Sequence, residues 1–486
     1  MRGVKRKSVL IVGAEAMPFA ATGGLGDVIG SLPQALAAAD RELDVRVVMP
    51  LYSAVGEKHR AKMKQIAVFD VNLSWRKQYC GIFSMKSRGV TYYFIDNEYY
   101  FRRDTLYGQY DDGERFAYFC SAVIEMMKQL NYEPDILHAH DWQAALSLMY
   151  LEREKRCGKF LGTKKIFTIH NIEYQGKYDF SILGDVFGLG AEDADILSFD
   201  GCINLMKGAI ELADTVSTVS PTYSREILTP EYGKGLQNIL AENSFKLCGI
   251  LNGIDNVYYN PSSDSVIPAV YSADDPDGKA FCKAALRAEA GLSDGDVPLF
   301  AIISRLVAHK GLDLVCEAIR GILNETSGQL IVLGKGTPEM EDFFRGLEAE
   351  MPGRVRALIV YDRDLSKRIY AGADILLMPS RSEPCGLAQM IACAYGTIPV
   401  VRETGGLADS VSYAYRDGDG VLTGNGFTFA EPSASALYGA AKAASDFWYR
   451  SEDRKELIHR IMTTDFSWSV SALSYSDMYR SLLMRR

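Results

Sequence analysis

The sequence has no C-x-x-C pair. Its nine cysteines are scattered along 486 residues, which fits a reducing cytosol better than a disulfide framework. It has no long basic run, and its formal net charge is -9. Neither nucleic acid nor an anionic membrane is therefore an expected partner. No uninterrupted apolar run approaches the roughly 20 residues that a membrane-spanning helix needs. The opening MRGVKRKSVLIVGAEA has the outline of a leader, but its apolar core is short and Glu15 interrupts it, so a first strand is expected there. Histidine is scarce, six in all. His138 and His140 lie two apart and would share one strand face; with Asp141 they make only part of a ligand set. No further His/Cys cluster completes it, so structural histidines are expected and no metal.

What is present is the balance of a globular enzyme, 48% hydrophobic and 24% charged. The length exceeds one ordinary core, so two domains are expected. Residues 374–411, DILLMPSRSEPCGLAQMIACAYGTIPVVRETGGLADSV, organise the rest. Asp374–Met378 is an apolar run of strand length, Pro379–Pro384 breaks it, and Cys385–Tyr395 has the spacing of a buried helix. Ile398–Val401 is the next strand, and Thr404-Gly405-Gly406-Leu407 turns into a second helix. Two helix starts side by side, with Gly386, Gly405 and Gly406 letting an anion reach the main chain, suit a phosphate. Glu383, just outside the first helix start, is placed to receive sugar hydroxyls.

Earlier in the chain, Ser8–Val12 reads as a strand entering the small-residue loop Ala20–Asp27, then a helix to about Ala39, with Val45–Met49 as strand two. Gly24, Gly26 and Gly30 have G-x-G-x-x-x-G spacing, and strand two ends in Met49-Pro50 with no acid for a ribose, which argues against a dinucleotide site. Residues 66–95 read as three short strands, and a helix is expected from about Asp112 to Leu130. Ile136–Ala139 delivers His138 to Trp142, and Lys165–Ile169 delivers His170 and Asn171. The alternation implies a parallel sheet covered by helices on both faces, with ligands beyond the carboxyl ends of its strands. The loops holding Asp27, Asp141 and His170 fall there.

Composition changes over 252–297, the expected junction, and a second α/β series begins at Leu299–Ser304. TGGLGDV at Thr22–Val28 is echoed by TGGLADSV at Thr404–Val411, which suggests two Rossmann-like domains, each with a glycine turn at a shared cleft. Arg305 and Lys310 are two cations on one loop after a strand, a planar fork and a point charge for phosphate oxygens. Cys385 has no companion base in sequence, so a packing or backbone role is expected for it.

These motifs converge. TGGLGDV, HAHDWQ, FTIHNIEYQG, INLMKGAIELADTVSTVSPTY, ILNGID, SRLVAHKGLDLV, PSRSEPCGL and ETGGLADSV, in this order, resemble bacterial glycogen synthases and plant starch synthases, retaining glucosyltransferases of the GT-B architecture. The resemblance implies an α/β fold of two Rossmann-like domains with the active site between them. It implies glucose transfer from ADP-glucose to the non-reducing end of an α-1,4-glucan, in the cytoplasm and without a metal or other cofactor. On these motifs His170 is expected beside the reacting glucose, Arg305 and Lys310 on the distal phosphates, and Glu383 on the donor. Thr22, Gly23, Gly24, Asp27, Asp141, Asn171 and Asn252 are expected to contact donor or sugar. Cys385, Gly386 and Leu387 form the adjoining helix start, Thr404, Gly405 and Gly406 the second phosphate-facing turn, and Tyr361 meets the adenine. The implied domains are 1–252 and 253–454, with 455–486 a helix packing back on the first. One departure stands out: the family commonly carries lysine where this chain has Ala21, which leaves UDP-glucose, another acceptor, or a silent glucan-binding role as alternatives.

Overall fold

Apolar runs too continuous for a one-sided sheet become strands buried on both faces. A computed structural model describes residues 6–485. The chain divides into two units, one made of the residues up to Asn252 and those from Trp468 on, the other of Gly253–Ser467.

The first unit is built on a nine-stranded sheet: Lys7–Val12 (β1), Leu43–Pro50 (β2), Lys64–Leu73 (β3), Arg76–Ser87 (β4), Val90–Asp96 (β5), Ile136–His140 (β6), Lys164–Ile169 (β7), Thr215–Thr218 (β8) and Leu247–Gly249 (β9). Their order is β9-β8-β7-β6-β1-β2-β5-β4-β3. Pairing is parallel from β9 to β5 and antiparallel across β5, β4 and β3. In register, Ile11 on β1 lies between Val47 and His138. Because β1 is flanked by β2 and β6, the strand order reverses beside it, and the loops after β1, β6 and β7 open at one end of the sheet. The expected three short strands over 66–95 are long, at 10, 12 and 7 residues.

The main sheet of the second unit has six strands: Leu299–Ile303 (β10), Gln329–Leu333 (β11), Val355–Leu358 (β12), Ile375–Met378 (β13), Ile398–Arg402 (β14) and Phe427–Phe429 (β15). The order β12-β11-β10-β13-β14-β15 is parallel throughout. Phe300, Ile302, Val332, Leu377 and Val400 supply the sheet's part of a buried cluster. Here the switch falls between β10 and β13, so the loops after these two strands face each other.

Two helices flank the hand-over near the C-terminus. The sequence reading has the chain leave the second unit at about residue 455; it leaves at Trp468. Ser451–Thr463 is helical and buries Leu457 and Ile461 in the second unit's core, so it cannot leave without exposing them. Only the last helix, Trp468–Met484, belongs to the first unit. It packs on the helix Gly24–Ala39 and pins itself there through Ser476 and Arg480, 2.6 and 2.7 Å from Asp40 Oδ2.

A buried lysine braces the second unit's site elements. Lys279 Nζ donates to the carbonyls of Ala371 and Tyr395 and to Thr397 Oγ1 at 2.9–3.1 Å. It thus gathers the carbonyl ends of helices Arg363–Gly372 and Ala388–Ala394, where a cation is favoured. Lys279→Met leaves those acceptors unmet and is expected to cost about 2–4 kcal/mol in denaturant unfolding; an unchanged midpoint would contradict this bracing role.

Candidate active site

In the second unit, the loop after β10 and the loop after β13 enclose a cavity of about 220 Å³ lined by Arg305, Lys310, Ser380, Glu383, Gly386 and Leu387, among others. Lys310 Nζ lies 2.6 Å from Glu383 Oε2, and Ser380 Oγ donates to the same oxygen at 2.9 Å. Glu383 is only 7% exposed, so cation and carboxylate are held together where solvent screens them weakly. Arg305 is exposed on the same wall. The loops are locked by close backbone approach. A Cβ on Gly311 would stand 1.9 Å from Pro379 O, one on Gly405 2.0 Å from Glu383 O, and one on Gly406 2.1 Å from Cys385 O. Beneath them the buried Arg402, at the end of β14, donates to the carbonyls of Ser380 and Arg381 at 3.1 and 3.0 Å.

The helix expected to begin at Cys385 begins at Ala388. Gly386 has φ 72°, a left-handed turn that delays the helix, so Cys385, Gly386 and Leu387 form the turn before it. The second helix, Gly405–Ser410, starts as expected after Thr404. At seven and six residues both are too short for a long dipole, and in the second the Gly406 N–H is already given to the carbonyls of Glu383 and Pro384. Gly405 has φ 45°, whereas Gly23 is extended at φ -167° and its helix starts one residue later, at Gly24. The two TGGL turns therefore share sequence but not backbone form.

In the first unit, Thr22, Gly23 and Gly24 form an exposed turn and Asp27 lies in the first turn of the following helix. The buried Glu15 clasps this turn: Oε2 accepts Thr22 N–H at 2.6 Å and Thr22 Oγ1–H at 3.0 Å. Burial pushes its carboxyl up to about 7, against the pull of those donors and the Gly26 N–H. Asp141 sits at φ 56° between β6 and the next helix, with Oδ1 accepting His170 N–H at 2.8 Å. Desolvation raises its carboxyl to about 7 as well, opposed by the N–H groups of His170 and Asn171. Burial lowers His170 to about 3, so its ring is neutral across the physiological range. His138 is fully buried and bonded at both nitrogens, to Tyr479 Oη at 2.9 Å and Thr168 Oγ1 at 2.6 Å. Among the described residues no group of His, Cys, Asp and Glu is arranged to hold a metal.

A protonated Glu15 in the fold gives a signed prediction. Between the usual value of 4.5 and about 7 the folded chain keeps a proton that the unfolded chain releases, so stability falls as pH rises through that window. Asp141 acts with the same sign. Glu15→Gln is expected to flatten, in part, the decline of the thermal midpoint between pH 5 and 8; an identical slope in the variant and the native chain would refute it.

The structure gathers Arg305, Lys310, Glu383, Gly386 and Leu387 at one cavity. It places Gly405 and Gly406 against the backbone of Glu383 and Cys385, with the buried Thr404 just before them. Tyr361 does not line this cavity; it is 73% exposed beyond β12, and its hydroxyl accepts from Arg363 Nε at 3.2 Å. Asn252 is buried, and its Oδ1 has no partner among the described residues. Sequence reading missed Glu15, Ser380 and Arg402. Ser380 and Arg402 sit within the organising stretch, and the polar residue ending an apolar strand was the available signal for Arg402. Glu15 read only as an interruption.

Two doubly wound units, with the candidate residues on loops and first helical turns beyond the strands, have the architecture of the GT-B class of glycosyltransferases. Residues 8–242 match the model of the starch synthase catalytic domain, and residues 286–459 that of the glycosyl transferases group 1. The chain is 45% identical over 475 residues to the glycogen synthase of Bacillus licheniformis, covering 97% of each chain. It is 43% identical over 483 residues to that of Geobacillus stearothermophilus, covering 98% of each. Among solved structures, the catalytic domain of starch synthase IV from Arabidopsis thaliana, bound to ADP and acarbose, superposes with a TM-score of 0.90 at 36% identity, covering 99% of this chain and 100% of that one. A sucrose-phosphate synthase from Thermosynechococcus elongatus shares the fold, with a TM-score of 0.61 at 18% identity, covering 99% of this chain and 100% of that one. The chain belongs to the glycogen synthase and starch synthase family. No helix among the described residues is long and apolar enough to cross a membrane.

Proposed function

We propose that this chain transfers glucose from ADP-glucose to the non-reducing end of an α-1,4-glucan, with retention of configuration and without a metal or other cofactor. The observation that carries the reading is the cavity wall on which Arg305 stands beside the Lys310–Glu383 pair, 2.6 Å apart. A diphosphate draws Lys310 toward its oxygens, and Glu383 then takes a sugar hydroxyl in the ammonium's place. As the glycosidic bond to the phosphate breaks, negative charge grows on ADP, and Arg305 and Lys310 are already aimed at it. The acceptor 4-hydroxyl attacks from the same face and its proton passes to the departing phosphate. His170, with Asp141 holding its backbone N–H, orients the glucose, and the exposed Thr22-Gly23-Gly24 turn receives the donor.

ADP as the nucleotide is supported by the relative of 36% identity, whose structure carries it. Residence in the cytoplasm is supported by nine free cysteines. Ala21 favours one second reading, a relaxed preference that admits UDP-glucose. The test is incorporation of labelled glucose into glycogen from ADP-glucose and from UDP-glucose, with and without chelator. Transfer from ADP-glucose, unaffected by chelator, is expected; no transfer from ADP-glucose would overturn the reading.

A further inference from the structure

His170 is held from behind by a second imidazole. Its Nε2 lies 2.9 Å from Nδ1 of His140, with ring centroids 5.2 Å apart. His140 is fully buried and stacks on His138 at 4.1 Å. His138 in turn is fixed at both nitrogens, by Tyr479 Oη on one side and Thr168 Oγ1 on the other, and Thr168 Oγ1 lies 2.6 Å from Ser217 Oγ. His140 is thus clamped between a fixed ring and His170.

A hydrogen bond between two neutral imidazoles holds one proton, so one ring donates and the other accepts. His140 and His170 are both kept neutral by burial. The other nitrogen of His140, Nε2, is buried and has no partner among the described residues. If it carried the proton, a buried N–H would be orphaned; if it carries a lone pair, the deficit is only an unmet acceptor, the commoner and cheaper of the two. The proton of His140 therefore sits on Nδ1 and is given to Nε2 of His170. That leaves the proton of His170 on Nδ1, and Nδ1 makes no hydrogen bond among the described residues.

We propose that His140 is a positioning residue that fixes His170 as the Nδ1–H tautomer, so that His170 meets the substrate as a hydrogen-bond donor and not as a base. This rests on the reading above in which His170 lies beside the reacting glucose. The clamp gives the last helix a part in the site: Tyr479 holds His138, His138 supports His140, and His140 sets the proton of His170.

The test is the ring nitrogen spectrum of the full chain labelled with 15N-histidine, with His170→Gln identifying the His170 signals. A pyrrole-type Nδ1 and a pyridine-type Nε2 are expected for His170; the reverse assignment would overturn the proposal. Turnover gives an independent check. His140→Asn places an amide donor where Nδ1 was and is expected to keep kcat within about threefold, whereas His140→Leu loses about tenfold or more. His140→Asp offers only an acceptor, turns His170 over, and is expected to fall below the leucine variant. Equal kcat for the asparagine and aspartate variants, at matched thermal midpoints, would also overturn it. The spectrum is read without substrate, so a chain that failed to use ADP-glucose would still report the tautomer.

Discussion

Lys310→Ala and Arg305→Ala are each expected to lower kcat/KM for the nucleotide sugar by about 10²–10³-fold, the usual loss when one preorganised group facing developing charge is removed. The two variants differ in a second readout. Arg305 is exposed, so its removal leaves the thermal midpoint in place. Lys310 is the ionic partner of Glu383, a carboxylate only 7% exposed, so its removal strands a nearly buried charge and lowers the midpoint as well. Lys310→Arg keeps the charge and the pairing but not the reach, and is expected to restore stability more fully than turnover. Steady-state kinetics beside thermal unfolding separates these effects. Both alanine variants within about threefold of the native kcat/KM would remove the phosphate role from these residues.

Gly405→Ala is expected to abolish donor use while its counterpart Gly23→Ala leaves folding untouched. At Gly405 the backbone stands at φ 45°, and a Cβ would lie 2.0 Å from Glu383 O and 3.3 Å from Pro384 O. A left-handed alanine costs about 1–2 kcal/mol before any clash, and here the clash is with backbone that cannot swing aside. Relief requires the loop carrying Glu383 to move, which separates it from Lys310. Gly23 is extended, with nothing within 4 Å of an added Cβ, so its alanine variant folds normally. Any rise in donor KM there then reports a ligand brought close to that turn. Thermal midpoints and donor KM for the two variants decide this, and a Gly405→Ala chain with native donor KM would contradict the interlocked geometry.

The central parallel strands were legible because they are buried on both faces. Ile136–His140, Leu299–Ile303 and Ile375–Met378 are near-continuous apolar runs, and each ends in a loop carrying a candidate residue. Local order was harder where a single backbone angle decides it. Periodicity carries the helix back to Cys385, but Gly386 at φ 72° delays its start to Ala388. The repeated TGGL looked like one structure used twice, yet its first glycine is extended in one copy and left-handed in the other. The late hand-over at Trp468 escaped notice because Ser451–Thr463 and Trp468–Met484 have similar helical patterns, and only long-range burial of Leu457 and Ile461 assigns the former to the second unit. Glu15 escaped for a related reason. An acid after a strand reads as a surface group unless Thr22, seven residues on, is known to fold back onto it.

The central claim is that the Arg305, Lys310 and Glu383 wall holds the diphosphate of a nucleotide sugar. A crystal structure of the chain grown with ADP tests it most directly. The account predicts phosphate oxygens within hydrogen-bond reach of Arg305 and Lys310, with the Lys310–Glu383 contact lengthened beyond its 2.6 Å. Well-ordered ADP away from this wall, with that contact intact, would contradict it.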